Sequence, residues 1–381
     1  MLVEPLDNKS ECVGYYCEGQ IVKQIPELIE SWNYHPSFGL DGEFAYLYCK
    51  EDISKVCPDI YKNEWKHVND RMKAYFRSFV ISKVNLDHNC IFDMIPQQFL
   101  IKYYEVKTQI VSYILSNYSK PHDYGYLLQL SQVLADIRSR RLNIDTDCLT
   151  DKKQIKKYQE IDPYIKYEIF GTKTGRLSTQ TKSFPILQLD KTHRSILTPT
   201  NDWFVELDYN GAEVRTFLAL AGVEQPEIDI HQWNANHIYN GSKDREEAKV
   251  AFLAWLYGET KNDKAEEIYN KQKVLKKYWD GEKVTTFYNM EIYADSKHAV
   301  NYLIQSTFAQ LALRQMIKVF NFLKGRKSYI AFTVHDNIVI DLAQEDKKDL
   351  KQIIDIYSNT DLGKFKVNLK AGVNYGELKK F

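Results

Sequence analysis

Apolar positions along the 381-residue chain follow different rhythms in different stretches. Over residues 1–50 they fall in short clusters, ECVGYY and FAYLYC, broken by Gly, Asn and Pro, which predicts brief strands of a small sheet. Residues 65–79 and 96–118 carry a helical rhythm. In 127–145, Leu127, Leu130, Val133, Leu134 and Ile137 share one helical face, and 143–145 should leave that helix extended. A Gly-rich polar passage begins at Gly171. WFVELDY (203–209) then predicts a strand that turns into a helix at GAEVRTFLALAG. Further helices are expected at 244–258 and 301–323. YIAFTVHDNIVIDLA (329–343) predicts two strands about a tight turn at His335, Asp336 and Asn337.

Composition narrows the class. The length allows two or three cores, since a single core rarely exceeds about 250–300 residues. With 44% apolar and 27% charged residues and no run of 18 apolar ones, the chain fits neither a membrane-spanning helix nor wholesale disorder. Its six cysteines include no CxxC pair, so a zinc ribbon is not expected and reduced cytosolic thiols are. No basic segment feeding an apolar one opens the sequence, so no signal peptide is expected. Net charge is zero, which weighs against binding by overall positive charge. Residues 138–194 nevertheless hold 13 Lys and Arg against 7 Asp and Glu, just ahead of the richest motifs.

Chemistry concentrates in four residues. Asp208 closes an apolar strand and Asp336 sits in a strand turn, so each carboxylate has a fixed backbone. Phosphoryl transfer to a hydroxyl uses two divalent ions about 3.5–4 Å apart, held by carboxylates of this kind. Hard oxygen ligands suit magnesium better than zinc. Arg245 and Lys249 lie four apart on one helix face, where a guanidinium fork and an ammonium can grip outer phosphates.

Taken in order, these segments resemble the polymerase region of family A DNA polymerases, the bacterial polymerase I and bacteriophage group. LDYNGAEVR (207–215) is similar to the family's first palm motif, usually DYSQIELR. The resemblance implies that Asp208 is a metal ligand, that the Tyr209 carbonyl adds an oxygen, and that Glu213 excludes a 2′-hydroxyl. Arg215 matches the motif's closing arginine and is expected at primer-template DNA. REEAKVAFLAWLYG (245–258) resembles RxxxKxxxFGxxYG of the fingers. By that likeness Arg245 and Lys249 meet the triphosphate, Lys249 counting with Asp208 and Asp336 as catalytic, while Leu253 and Tyr257 lie at the insertion site. VHDNIV resembles the second palm motif, VHDE, making Asp336 the second metal ligand and His335 a primer contact. TGRLS (174–178) and ILQ (186–188) give Arg176 and Gln188 as duplex contacts. Asn301 and Gln305 match a pair that places template and primer, and DIH (229–231) puts His231 near the phosphates. VNLKAGVNYGE (367–377) resembles the final palm strand. Order and spacing, over residues 127–381, carry the likeness.

The implied cofactor is two Mg2+ ions, for which Mn2+ can substitute. The implied partners are primer-template DNA, deoxynucleoside triphosphates and a processivity or replisome protein, with the chain a monomer in the cytoplasm of a bacterium or an infected host cell. The implied fold is α+β, a right hand of antiparallel palm sheet, helical fingers and reduced thumb, with a small N-terminal α/β exonuclease-like domain. Expected boundaries are 1–125 for that domain, 126–170 for a thumb stub and connector, 171–228 and 301–381 for the palm, and 229–300 for the fingers. Only 26 residues separate Asp145 from Thr172, too few for a long helical thumb.

The sequence departs from the family at several points. Leu253 stands where an aromatic is usual, Ala254 where a glycine is, and Asn337 replaces the glutamate after the catalytic aspartate. In the N-terminal third, HNCIFD (88–93) resembles the second exonuclease motif with Asp93 as ligand, and Asp41 and Glu43 form a DxE pair. An alternative takes MLVEPLDN as a degenerate first strand in which only Glu4 survives. No YxxxD third motif follows before Asp136, so proofreading is not expected. Two other readings stand beside the polymerase one, a single-subunit RNA polymerase and a catalytically inactive DNA-binding replication subunit.

Overall fold

The computed structural model describes residues 1–380 apart from 7–13, 26–28, 39–40, 87–88, 259 and 336. It divides into two compact units, Met1–Asp136 and Ile137–Phe381. The division falls inside the helix Tyr124–Ser139.

In the first unit, β1 (Val3–Pro5), β2 (Tyr15–Cys17) and β3 (Gln20–Val22) form an antiparallel meander, with Val3 opposite Cys17 and Tyr15 opposite Val22. β4 (Glu30–Ser31) and β5 (Glu43–Phe44) pair in parallel, and Leu2 bridges Glu30 in parallel. Helix α1 (Asp59–Ile81) packs on α2 (Gln97–Asn117). On α2, Leu100, Val106, Ile110, Val111 and Ile114 are fully buried, while Lys102, Ser112 and Gln109 take other faces. The apolar face is what docks it. Buried inside this unit is an acid: Glu4 of β1 accepts from Trp32 N–H at 2.7 Å and pairs with Lys107 of α2 at 2.6 Å.

The exonuclease candidates are not assembled in this way. Asp41 and Asp93 are exposed, and Glu43 is paired with Lys120 at 2.8 Å. Among the described residues no three His, Cys, Asp or Glu side chains are grouped to hold a metal. The surviving acid of the alternative alignment, Glu4, is where that alignment puts it, in the first strand, but a lysine ammonium occupies its carboxylate.

The second unit takes in the end of α3 (Tyr124–Ser139) and, further on, a basic nine-residue helix, α4 (Lys152–Glu160), whose first turn is capped by Asp151 accepting from Lys153 N–H at 2.9 Å. Its centre is a five-stranded antiparallel sheet built from β6 (Trp203–Tyr209), β7 (Tyr329–Val334), β8 (Asn337–Leu342), β9 (Val367–Gly372) and β10 (Lys379–Lys380), in the order β7-β8-β6-β9-β10. The central strand β6 alternates. Val205, Leu207 and Tyr209 lie on one face, where the Tyr209 ring stacks on Tyr357 at 4.5 Å, meets Phe308 and Phe365 edge-on, and donates its hydroxyl to the Tyr357 carbonyl at 2.6 Å. Phe204, Glu206 and Asp208 point the other way.

After β6 come α5 (Ala212–Leu220), α6 (Ile230–His237), α7 (Arg245–Tyr257), α8 (Asp263–Tyr269) and α9 (Lys271–Tyr278), then the 25-residue α10 (Ala299–Leu323) and α11 (Leu350–Ser358). Phe217, Ile230, Phe252, Trp255, Tyr269, Leu303 and Ile304 make one core among five of these helices. α7 starts on a capping box in which Asp244 and Glu247 satisfy each other's backbone N–H groups. No helix among the described residues is long and apolar enough to cross a membrane.

Candidate active site

A cleft of about 320 Å³ opens where β6 ends. It is lined by Asp208, Tyr209, Asn210, Gly211, Ala212, Glu213, Val214, His231, Arg245, Lys249, Leu253 and Asn368. Seven of the residues picked from sequence meet there: Asp208, Tyr209, Glu213, His231, Arg245, Lys249 and Leu253. They come from β6, α5, α6 and α7, across 46 residues of chain.

Each is held for a local reason. Asp208 is the last-but-one residue of β6, in register with Asn337 of β8 and Asn368 of β9, so its backbone is fixed from both sides. Gly211 follows with φ +60, and a Cβ there would stand 2.2 Å from Ile230 Cγ2. Only glycine allows the chain to turn from β6 into α5 this close to α6. On α7, Arg245, Lys249 and Leu253 repeat at four-residue spacing and all reach the cleft, while Val250 faces solvent.

Glu213 is pinned. Its carboxylate accepts from the Tyr257 hydroxyl at 2.7 Å and lies 3.5 Å from the Arg176 guanidinium. Tyr257 therefore acts on the cleft through Glu213, and Arg176 ties the Gly-rich passage to α5. Arg176 also lines a small cavity of about 30 Å³ with His335, Asn337, Thr333 and Met316. His335 adopts φ +54, a left-handed conformation that suits the first central position of a two-residue hairpin turn between Val334 and Asn337. Asp336, the expected second metal ligand, lies outside the described residues.

Asp229 was not singled out by sequence, yet it organises the phosphate side. It caps α6, accepting from His231 N–H at 2.9 Å and Gln232 N–H at 3.0 Å, and it accepts from Asn210 Nδ2 at 2.7 Å and Arg245 at 2.8 Å. Burial pushes its carboxyl up, but the Arg245, Asn210 and Gln232 hydrogen bonds outweigh that and hold it well below the usual carboxylate range. Burial pulls the His231 imidazole down to about 4; Asp229 opposes this, and Arg245 and Lys249 add to it. At neutral pH the ring is uncharged. Its Nδ1 is buried with no hydrogen-bond partner among the described residues.

Arg215 corrects an expectation. It is fully buried, and its guanidinium donates to the Asn210 carbonyl at 2.7 Å, the Pro226 carbonyl at 2.8 Å and the Ile228 carbonyl at 2.6 Å. It fastens the 222–229 loop to the end of β6 and has no free donor face for duplex DNA. Gln188 is exposed in a single 3-10 turn, Ile186–Gln188. Asn301 and Gln305 sit half-buried one turn apart on α10, and neither lines the cleft.

Motif reading missed Asn210 and Asn368, which line the cleft, and Asp229, which braces the lining residues Asn210 and Arg245. Asn368 had a signal, since VNLKAG was read as a strand and its register with Asp208 follows from antiparallel pairing. Asp229 had one too, as an aspartate opening a helix.

Comparison with known proteins bears on the same region. The sequence profile of DNA polymerase family A matches residues 282–380. Among solved structures the chain is similar to the POL domain of Pol1 from M. smegmatis in complex with DNA primer-template and dNTP, at TM-score 0.57 and 13% identity, covering 76% of this chain and 77% of that one. No curated protein sequence matches. The resemblance to family A that the motifs suggested is borne out over residues 282–380, and the chain has a mixed helix-and-strand fold similar to that of a polymerase domain.

Proposed function

From a chain whose residues 282–380 match the sequence profile of DNA polymerase family A, we propose a template-directed DNA polymerase that adds deoxynucleotides to a primer 3′-hydroxyl and releases pyrophosphate. The observation that carries this reading is the single cleft lined by the Asp208 carboxylate together with Arg245, Lys249 and His231. In this reading the five-stranded sheet is the palm, α6 to α9 are the fingers, and α4 is what stands for a thumb.

The donor set fits divalent magnesium. Asp208 presents a carboxylate to the cleft from a fixed strand end, and the Tyr209 carbonyl and Asp336 are the further oxygens we assign to the pair of ions. Bound there, two ions would supply charge neutralisation at the attacking and leaving oxygens. The chain's own groups do the rest. Arg245, released from Asp229, and Lys249 hold the outer phosphates. Neutral His231 offers a ring nitrogen without adding charge. Leu253 contributes apolar contact but no aromatic face, which loosens the grip on the base and sugar. Glu213, locked by Tyr257 and Arg176, cannot swing aside for a 2′-hydroxyl, which favours the DNA reading over the RNA one. Arg176, Gln188, Asn301, Gln305 and His335 are assigned to primer and template.

Single-nucleotide incorporation against each of the four template bases tests the reading. Insertion of the complementary deoxynucleotide alone supports it. Nucleotide addition indifferent to the template base, or absent with every deoxynucleotide, overturns it.

A further inference from the structure

Asn337 departs from the family motif by replacing an acid with an amide, and the structure holds an acid beside it. Glu206 is two residues before Asp208 on β6, on the same face of the sheet, and is 3% exposed. Its Oε2 accepts from Asn337 Nδ2 at 3.2 Å and its Oε1 accepts from Lys370 Nζ at 2.6 Å. The other end of the Asn337 amide works across the hairpin, where Oδ1 accepts from Val334 N–H at 3.2 Å, and the Asn337 carbonyl accepts from Thr333 Oγ1 at 2.6 Å. One amide thus staples the β7–β8 turn to β6, directly opposite Asp208.

The chemistry of this arrangement is directional. A carboxylate at 206 accepts only, so the amide must turn its Nδ2 towards Glu206, which leaves Oδ1 for Val334. A carboxylate at 337 would instead face the buried Glu206 carboxylate with Lys370 as their counter-ion, an arrangement that favours protonation of one acid. Tyr375, whose ring packs edge-on against Phe332 at 5.0 Å, covers the same face and feels the charges of both Glu206 and Asp208.

We propose that Glu206 is a positioning residue for the metal-binding end of the sheet: held by Lys370, it orients the Asn337 amide and so fixes the turn carrying His335 and Asp336 relative to Asp208. The proposal rests on the polymerase reading above. Loss of a partner that orients a metal ligand typically costs about 10- to 100-fold in metal affinity or activity.

The test replaces the buried pair by apolar residues of similar length, Glu206→Met with Lys370→Met, which removes charge and counter-ion together and should leave the fold intact by melting. Mn2+ binding is measured by electron paramagnetic resonance in a complex stalled on a dideoxy-terminated primer with the next deoxynucleotide, where no turnover occurs. Binding about tenfold weaker than wild type, with the primer-template affinity unchanged, supports the proposal. Binding equal to wild type overturns it, and wild-type primer extension, run alongside, reports separately on the polymerase reading.

A reciprocal pair keeps the test decisive if the double Met variant does not fold. Asn337→Asp alone sets two carboxylates together and should weaken Mn2+ binding, whereas Glu206→Gln with Asn337→Asp restores one acid and one amide and should recover it. Failure of the second change to recover what the first lost overturns the proposal.

Discussion

Two buried titratable groups have opposite jobs at the residue scale. His231 is uncharged in the fold and ordinarily titrates near 6.5, with its folded value lowered to about 4. Above 6.5 it is neutral folded or unfolded and contributes nothing to pH dependence. As pH falls, the unfolded chain takes up the proton first, so stability is lost between about 6.5 and about 4. The depressed Asp229 carboxyl loses its contribution only at still lower pH. Denaturant unfolding across that window should show a loss of about 2–3 kcal/mol in wild type that His231→Gln largely removes. An unchanged slope would mean that the imidazole is solvated. Arg215, by contrast, is a fixed cation whose three carbonyl partners define its role. Arg215→Met should cost about 3 kcal/mol in unfolding free energy while leaving the salt dependence of DNA binding as it was. The opposite pattern would return Arg215 to the duplex. Glu213→Ala should raise the ribonucleotide-to-deoxynucleotide ratio of kcat/KM by about 100-fold, and a ratio unchanged from wild type would remove Glu213 as the gate.

At the scale of elements, the sequence was legible wherever backbone pattern decides. β6 over 203–209, the helix over 244–258 and the hairpin over 329–343 all follow from alternation, four-residue spacing and turn chemistry. Seven of the twelve residues lining the cleft were legible as well, Glu213, His231 and Leu253 through the likeness of their motifs and not through spacing. What stayed hidden was pairing between distant positions. Glu206 meets Asn337 131 residues away and Lys370 164 residues away, and nothing in a local pattern announces either. Arg215 was misread for a related reason: a motif gives residue type and not the direction in which a side chain faces. Gly211 shows how little slack the β6–α5 connection has. Gly211→Ala should destabilise the protein by about 1–3 kcal/mol and lower nucleotide addition by displacing Ile230 and with it the His231 turn. A fully active, equally stable variant would contradict the close packing of α6 on that turn.

On the scale of the whole molecule, the two units carry different weights of evidence for function. The first has its buried acid, Glu4, tied to Lys107, Glu43 paired with Lys120, and Asp41 and Asp93 exposed. The second assembles the cleft. On the proposal that the nine-residue helix α4 is all that stands for a thumb, the chain should make few phosphate contacts, so the logarithm of its primer-template affinity should fall with the logarithm of salt at a slope of about −3 to −4. A slope of about −8 or steeper would indicate a much larger electrostatic grip. The central claim is that Asp208 and Asp336 together make this cleft a polymerase site. Primer extension with magnesium and deoxynucleotides on a 5′-labelled primer, comparing wild type with Asp208→Ala and Asp336→Ala, meets it most directly. The account predicts extension by wild type and at least about a 1,000-fold loss in each variant, whose melting stays within a few degrees of wild type. Extension by either variant at the wild-type rate, or none by wild type at low salt and high enzyme, would contradict it.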